Sequence, residues 1–277
     1  MNSETTETAR VYIEYDVLEP PPHPGDGWTR FVCISDTHSR TYRVPHGDVL
    51  LHSGDLSSWG HLPQLKKTLK WIKELPHPIK VYAFVLLIAG NHDLCLDDDW
   101  GENGPFASAG EGIPSKDIIA AQHLMRCEKT RQAGVYYLEY EPLEITVGSR
   151  VWKLYGSPAA PRYALGAFQY DGTLTSSDGS SIYAQIPTST EILLTHTPAH
   201  GICDVTKRGK HAGCYALRSR LDSPELSNCR LHVFGHIHEA QGAEINPANA
   251  THDRDNIRVS VNAAMHEYNP VIVDLMN

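Results

Sequence analysis

Five short clusters of potential metal ligands follow one another along this 277-residue sequence. No single cluster is diagnostic, because an Asp-x-His or a Gly-Asp turn occurs by chance in many proteins. Together they offer imidazole, carboxylate and amide donors, and one further histidine is left for acid–base chemistry. This is the ligand set of a two-metal hydrolase. The clusters are Asp36-Thr37-His38, Gly54-Asp55, Gly90-Asn91-His92-Asp93, His196 and Gly235-His236-Ile237-His238.

Each cluster directly follows a short apolar run. The runs are β-branched or aliphatic and are bounded by turn residues, which predicts buried strands. Open α/β sheets bind their ligands just beyond the carboxyl ends of such strands. We therefore expect the five clusters to lie near one another. The runs are 31–34, 48–51, 81–89, 191–194 and 231–234.

Further helices and strands are predicted between and after these runs. Apolar residues recur at intervals of three and four over 62–75, with Pro63 at the start, and this predicts a helix. A second helix is predicted over 115–133, before Gly134. Alternating or short apolar patterns predict strands elsewhere. These strands are 136–140, 143–147 and 151–155, which we expect to be antiparallel, and the closing strands 257–261 and 271–275.

Two segments lack this regularity. Residues 1–28 hold a short candidate strand and then a proline-rich stretch, so we predict an N-terminal arm followed by one domain over 29–277. Residues 157–189 are rich in Ser, Gly and Tyr, and loops of that length are often functional. Their aromatic side chains either form a rim that stacks on a substrate base or only pack the loop against the body. These residues are Tyr163, Phe168, Tyr170 and Tyr183.

The composition excludes several classes of protein. A formal net charge of −9 argues against general nucleic-acid binding and against binding to anionic membranes. Six widely spaced cysteines without a C-x-x-C pair favour reduced thiols over a disulfide framework. No signal-peptide pattern is visible, and the longest apolar run is about half of a membrane span. We expect a cytoplasmic protein without a membrane partner, whose oligomeric state the sequence does not indicate.

The order D-x-H, G-D, G-N-H-[DE], a lone His and G-H-x-H resembles the calcineurin-like metallophosphoesterases. The resemblance covers roughly 31–275. It implies an α/β fold, a four-layer α-β-β-α sandwich of two mixed sheets, with the dimetal site at the carboxyl ends of the strands. Longer stretches look like the metallophosphoesterase domain-containing (MPPED) subgroup. These stretches are 31–40, 48–55, 155–158, 194–196, 213–214 and 231–239.

The same resemblance implies two divalent metal ions, for which imidazole and carboxylate ligands suit Mn, Fe, Zn or Ni. A hydroxide bridging these ions would attack phosphorus in line. His92 would act as the general acid that protonates the leaving oxygen. Asp93, where MPPED-type relatives usually have Glu, either orients His92 or caps the following turn. The implied ligands are, for the first ion, Asp36, His38 and His238, for the second, Asn91, His196 and His236, and, bridging both, Asp55.

The residues next to the metal motifs indicate the substrate class. Phosphoprotein phosphatases of this superfamily carry arginines next to the metal motifs, which bind a dianionic phosphate in a bidentate manner. Here Asp55 is followed by Leu-Ser-Ser-Trp-Gly and Gly90 is preceded by Ala, so those arginines are missing. A site without them better suits a monoanionic phosphodiester, and the MPPED-like resemblance, with its activity on cyclic nucleotides, points the same way.

We therefore predict a metal-dependent phosphodiesterase that acts on a small phosphodiester, with a cyclic nucleotide as one candidate. One alternative is a phosphomonoesterase or protein phosphatase. Another is a non-catalytic interaction module that has kept the fold. No role is assigned to the eleven other histidines, among them His46, His52, His61, His200 and His232.

Overall fold

Strands supply most of the regular structure in the computed structural model, which describes residues 2–75, 84–101, 112–173, 175–247 and 257–277. The described strands are β1 (Asn2–Thr5), β2 (Ala9–Glu14), β3 (Trp28–Ile34), β4 (Val49–Ser53), β5 (Phe84–Ile88), β6 (Val135–Tyr137), β7 (Glu141–Val147), β8 (Arg150–Ser157), β9 (Ala160–Pro161), β10 (Gln169–Tyr170), β11 (Ile192–Thr195), β12 (Leu231–Phe234), β13 (Gly242–Pro247), β14 (Ile257–Asn262) and β15 (Val271–Met276). The described α-helices are α1 (Leu62–Lys73), α2 (Ser115–Arg126), α3 (Glu128–Gln132), α4 (Asp178–Ala184) and α5 (Tyr215–Asp222).

The strands form two large mixed sheets. The first has the order β1-β2-β15-β3-β4-β5-β6, and its strands β3 to β6 are parallel. The second has the order β13-β14-β12-β11-β8-β7, with parallel strands in the centre and an antiparallel strand at each edge. The central parallel strands of both sheets are buried on both faces, which explains why they read as continuous apolar runs.

The sheets pack face to face, and helices cover their outer faces. One core cluster lies between the sheets and includes Phe31, Leu51, Trp152, Leu194 and Val233. A second lies between the first sheet and helices α1 and α2, and a third lies between the second sheet and helices α4 and α5. The predicted α-β-β-α sandwich is therefore confirmed. No helix in the described ranges is both long and apolar enough to cross a membrane.

The first 28 residues contribute to the first sheet. Strand β2 pairs with β15, and its residues Ala9 and Val11 belong to the core between the sheets. Arg30 fixes the proline-rich stretch, because its guanidinium donates hydrogen bonds to the carbonyls of Pro21 and Pro22 and to the carboxylate of Asp274. The domain boundary after residue 28 stays a prediction, but within the described chain this segment is packed against the sheet rather than separate from it.

Two local predictions need correction. The helix predicted over 115–133 is two helices, since Cys127 between α2 and α3 has an extended backbone with ψ 153°. The strand predicted over 136–140 ends at Tyr137 as β6, which pairs in parallel with β5 rather than antiparallel. Tyr140, with φ 54°, then lies just before β7 of the other sheet. Of the run 81–89, residues 81–83 lie outside the described residues.

Candidate metal centre

The predicted ligands follow strands of both sheets. In the first sheet, β3 leads to Asp36 and His38, β4 to Asp55, and β5 to Asn91. In the second sheet, β11 leads to His196, and β12 to His236 and His238. Because the central strands run parallel and the sheets pack face to face, the carboxyl ends of strands from both sheets meet at one place.

One half of the centre holds four side chains whose donor atoms all lie within 4.8 Å of one another, those of Asp36, His38, Asp55 and His238. His238 Nε2 lies 3.0 Å from Asp36 Oδ1 and 3.3 Å from His38 Nε2. His38 Nε2 is 3.7 Å from Asp55 Oδ2. Two imidazole nitrogens and two carboxylates converging at these distances form a donor set suited to a divalent cation.

The other half of the centre, formed by Asn91, His196 and His236, lies on the opposite side of the Asp55 carboxylate. The second oxygen of this carboxylate, Oδ1, is 3.4 Å from His196 Nε2, which in turn is 2.9 Å from Asn91 Oδ1. The rings of His196 and His236 have centroids 5.0 Å apart. The two oxygens of Asp55 thus face different groups of donors. The structure brings all seven predicted ligands together, and Asp55 lies where a bridging ligand would have to be.

Backbone carbonyls orient two of the imidazole rings. His196 Nδ1 is 2.9 Å from the carbonyl oxygen of Ser53, and His38 Nδ1 is 3.3 Å from that of Ser57. A ring nitrogen that donates to a carbonyl carries the proton, so the lone pair of each ring is on Nε2. In both residues Nε2 is the atom that faces the centre. The sequence did not indicate these carbonyl contacts.

Four of the seven predicted ligands have left-handed backbone conformations, which are strained for residues other than glycine. Their φ angles are 55° at Asp36, 46° at His38, 54° at Asp55 and 69° at His236. Hydrogen bonds between loops hold them: Asp36 N donates to Gly54 O at 2.9 Å, and His38 N donates to Asp55 O at 3.0 Å. Strain of this kind is retained where the surrounding structure fixes a functional geometry.

Glycines in the motifs leave room for the ligands. A Cβ added to Gly235 would overlap the carboxylate of Asp36, and one added to Gly90 would overlap that of Asp55. A Cβ on Gly54 would collide with the ring of His196 and the carbonyl of Ala89. These three positions therefore require glycine because each one lies against a predicted ligand.

The carboxyl groups of Asp36 and Asp55 have pKa values shifted in opposite directions. Burial by itself raises the pKa of the Asp36 carboxyl, but the hydrogen bond with His238 and the charges of nearby histidines outweigh it and hold this pKa well below its usual value. The same hydrogen bond raises the pKa of His238. Burial, together with the charges of Asp36 and Asp93, raises the pKa of Asp55 well above its usual value.

The imidazoles of His38 and His236 favour the neutral form. Burial lowers the pKa of His38 to about 4 and that of His236 to about 3, so near pH 7 both rings have the protonation state that binds a metal. The raised pKa of Asp55 shows that its buried carboxylate lacks compensating positive charge, which divalent cations would supply. The residues present therefore fit the two metal ions expected for this site.

His92 lies next to the centre. Its ring packs edge-on against that of His38, with centroids 4.8 Å apart, and its backbone N–H donates to Asp55 Oδ1 at 2.9 Å. Its Nδ1 is 2.7 Å from the carbonyl oxygen of Ser58, which places the proton on Nδ1 and leaves Nε2 available for a substrate. This geometry is compatible with the predicted acid–base role.

Asp93 does not orient His92 in this structure. Its fully buried carboxylate accepts hydrogen bonds from the backbone N–H groups of Leu56, Ser57 and Gly90 and from the Ser57 hydroxyl, at 2.7–3.0 Å. Asp93 therefore joins the loop that carries Asp55 to the loop that carries Asn91, and its predicted catalytic role stays a prediction. The group that orients His92 is the Ser58 carbonyl.

Of the two alternatives for the aromatic side chains of 157–189, packing against the body describes three of the four. Tyr170 and Tyr183 are buried in the cluster beneath α4 and α5, and Phe168 packs against the cluster beneath α1 and α2. Tyr163 is 87% exposed and remains available to a ligand. No role was predicted from the sequence for Trp59. Its side chain is 68% exposed, and its ring centroid is 6.3 Å from that of His92. Its position four residues after Asp55 was the available signal.

The fold and a ligand cluster that could hold divalent metal ions are those of a metallophosphoesterase, and the comparisons with known proteins agree. Residues 29–240 match the sequence profile of the family described as Calcineurin-like phosphoesterase, and the chain belongs to that family. It is 31% identical over 274 residues to Metallophosphoesterase domain-containing protein 1 of Homo sapiens, across 94% of this chain and 76% of that protein.

Two further similarities are more limited. The chain is 34% identical over 221 residues to part of a probable rhamnogalacturonate lyase C from Emericella nidulans, across 79% of this chain but 18% of that protein. Among solved structures, the Phosphopantetheinyl Hydrolase of Mycobacterium tuberculosis aligns with a TM-score of 0.43 and 14% sequence identity, across 86% of this chain and 89% of that one.

Proposed function

We propose that this protein is a metal-dependent phosphodiesterase that hydrolyses a small phosphodiester, with a cyclic nucleotide as one candidate substrate. The observation that carries the proposal is the convergence of the seven predicted ligands around Asp55, with the free Nε2 of His92 beside them. Two divalent cations held there would neutralise charge on the phosphoryl oxygens and lower the pKa of a bound water.

The chain's own groups supply the rest of the chemistry. Asp55 directs one carboxylate oxygen to each half of the centre. When protonated, His92 Nε2 can donate its proton to the leaving oxygen, and the Ser58 carbonyl stabilises the cationic ring through Nδ1–H. Trp59 offers an exposed apolar face next to His92, on the side where a leaving group would lie.

The diester preference is supported by the neighbours of the ligands. A phosphate dianion is typically bound by bidentate arginines. Within the described residues, the ion-pair partners of Asp36 and Asp55 are histidines. Arg40, which is near the first cluster in sequence, is exposed, and its backbone N–H bonds to the Thr37 carbonyl. A monoanionic diester needs less positive charge than a dianionic monoester does.

The test compares hydrolysis of bis-p-nitrophenyl phosphate with that of p-nitrophenyl phosphate by metal-stripped protein reloaded with Mn²⁺. Asp55→Ala removes the central ligand, and Asp171→Ala is the matched control because this acid is exposed. Diester turnover that needs metal and disappears only in Asp55→Ala supports the proposal. Cleavage of the monoester alone would favour the phosphatase alternative, and no turnover despite two bound ions would favour the interaction module.

His92→Ala tests the acid separately. A general acid matters most when the leaving group is poor, so the variant should lose far more activity on an alkyl diester than on a p-nitrophenyl diester. Equal losses on both substrates would contradict proton donation by His92.

A further inference from the structure

Two fully buried histidines lie on strands next to the ligand-bearing loops. His52 is on β4 and His232 is on β12, one in each sheet, and both side chains are 0% exposed. His52 Nε2 is 2.9 Å from Thr37 Oγ1, and His232 Nε2 is 2.8 Å from Thr195 Oγ1. In each case the threonine follows or ends the neighbouring parallel strand and stands directly beside a predicted ligand.

The hydrogen bonds define the direction of donation. Thr195 Oγ1 donates its proton to the carbonyl of Thr197 at 2.7 Å, so the bond with His232 must come from the ring N–H at Nε2. In both rings, Nδ1 has no hydrogen-bond partner among the described residues. A buried acceptor without a partner costs less than a buried N–H donor without one, which places the proton on Nε2 of His52 as well.

These bonds fix backbone that would otherwise be free to relax. Thr37 lies between Asp36 and His38, both of which have left-handed conformations. The Thr195 side chain reaches across His196 to the carbonyl of Thr197, so it closes the turn that presents this predicted ligand. Each sheet therefore fixes the ligand loop of one strand through a histidine on the next strand.

A purely structural role would not require histidine at these positions. His232 lies in a strand whose other residues are apolar, and His52 follows three apolar residues of β4. Burying an imidazole there costs free energy that a leucine or phenylalanine would not. Burial lowers the pKa of each ring to about 3, so both are neutral and act as hydrogen-bond donors rather than as charges. Among the described residues, the hydrogen bond to the threonine is the polar contact that offsets this cost.

We propose that His52 and His232 are positioning residues, which hold Thr37 and Thr195 so that the predicted ligands beside these threonines keep their metal-binding geometry. The inference rests on the proposed metal-dependent function. Groups that hydrogen-bond directly to a metal ligand typically contribute about 10–100-fold to metal affinity, and His52 and His232 act one step further out, through the threonine next to the ligand.

The test measures Mn²⁺ affinity by isothermal titration calorimetry on the full, metal-stripped chain, and records the visible spectrum after Co²⁺ loading. We expect His52→Phe to weaken binding by about 10-fold, the low end of the range for groups bonded directly to a ligand, and to shift the Co²⁺ spectrum. His52→Gln keeps an N–H near the position of Nε2 and should bind nearly as well as wild type. The same pattern is expected for His232→Phe and His232→Gln.

Threonine variants keep the test valid if a phenylalanine variant does not fold. Thr37→Val has nearly the same volume and removes only the hydroxyl, so it should weaken Mn²⁺ binding as His52→Phe does. Adding Thr37→Val to His52→Phe should weaken binding little further, because both substitutions remove the same hydrogen bond between residues 37 and 52. Leu50→Val, on the same face of β4, is the matched control, which should reduce stability but leave affinity unchanged.

The outcomes separate the two proposals. If wild type binds no Mn²⁺, the proposed function fails and this inference falls with it. If wild type binds and the His52, His232 and Thr37 variants bind equally well, only the positioning role is overturned. Loss of affinity in the phenylalanine and valine variants, with recovery in the glutamine variants, supports it.

Discussion

Replacing Asp93 by asparagine should destabilise the protein strongly although the two side chains have nearly the same shape. The carboxylate is fully buried and its two oxygens accept four hydrogen bonds. Oδ1 accepts from the N–H and the hydroxyl of Ser57, and Oδ2 accepts from the N–H groups of Leu56 and Gly90. At either position, the amide nitrogen of asparagine would be a hydrogen-bond donor facing other donors.

The expected loss of stability follows from the amide orientation that leaves fewer hydrogen-bond donors unsatisfied. With nitrogen in place of Oδ1, the Ser57 hydroxyl can rotate and accept, but the Ser57 N–H loses its partner. One unsatisfied buried donor costs about 1–3 kcal/mol, and the bonds that remain weaken because they lose a charged acceptor. Removing a buried charge offsets part of this, since burial raises the pKa of Asp93 despite its hydrogen bonds. We expect a net loss of about 2–4 kcal/mol.

Urea-induced unfolding of metal-stripped protein measures this loss directly, provided that the slope of free energy against urea is unchanged. Asp171→Asn is the control, because this exposed carboxylate accepts a single backbone bond from Thr173 at 3.0 Å, and it should change stability by less than about 0.5 kcal/mol. A loss below about 1 kcal/mol for Asp93→Asn would refute the reasoning. Intact stability with lost activity would instead restore the orienting role for Asp93.

Three other expectations use the same structure. Gly235→Ala should abolish Mn²⁺ binding in a calorimetric titration, because its Cβ would overlap a ligand carboxylate, whereas Gly148→Ala, at φ 58° in open space, should cost only about 1 kcal/mol of stability and leave binding intact. His52 and His232 have pKa values lowered from 6.5 to about 3, so the unfolded chain takes up protons that the folded chain does not as the pH falls. At 1.36 kcal/mol per pKa unit, each histidine should therefore remove about 2 kcal/mol of stability between pH 7 and pH 5. With phenylalanine at either position, the urea concentration at the unfolding midpoint should depend less on pH over that range. Trp59→Ala should raise KM for bis-p-nitrophenyl phosphate with little change in kcat, and an unchanged KM would exclude contact with the leaving group.

That the candidate ligands lie near one another could be predicted from a local rule, whereas their assignment as ligands came from the family resemblance. A buried strand in a parallel sheet is a short apolar run, and the residues just beyond it lie at the functional edge. Asp55 and His196 each satisfy that rule within a few residues of sequence, so no knowledge of the rest of the fold was required. Strand pairing at the sheet edge was harder, because β2 pairs with β15 more than 250 residues away, and no local pattern encodes such a contact.

The hydrogen-bond partners of the site could not be predicted, because they depend on how loops from different strands pack together. The sequence places Asp93 beside His92, but the carboxylate instead binds Leu56 and Ser57, which reach it from the preceding strand. A partial signal was nevertheless present. His52 and His232 each interrupt an apolar strand just before a ligand motif, and a polar residue tolerated in such a strand must satisfy its hydrogen bond there. Since the strand faces are buried, the partner comes from the end of the neighbouring strand or from the loop that follows it, and in both sheets the residue next to that partner is a predicted metal ligand.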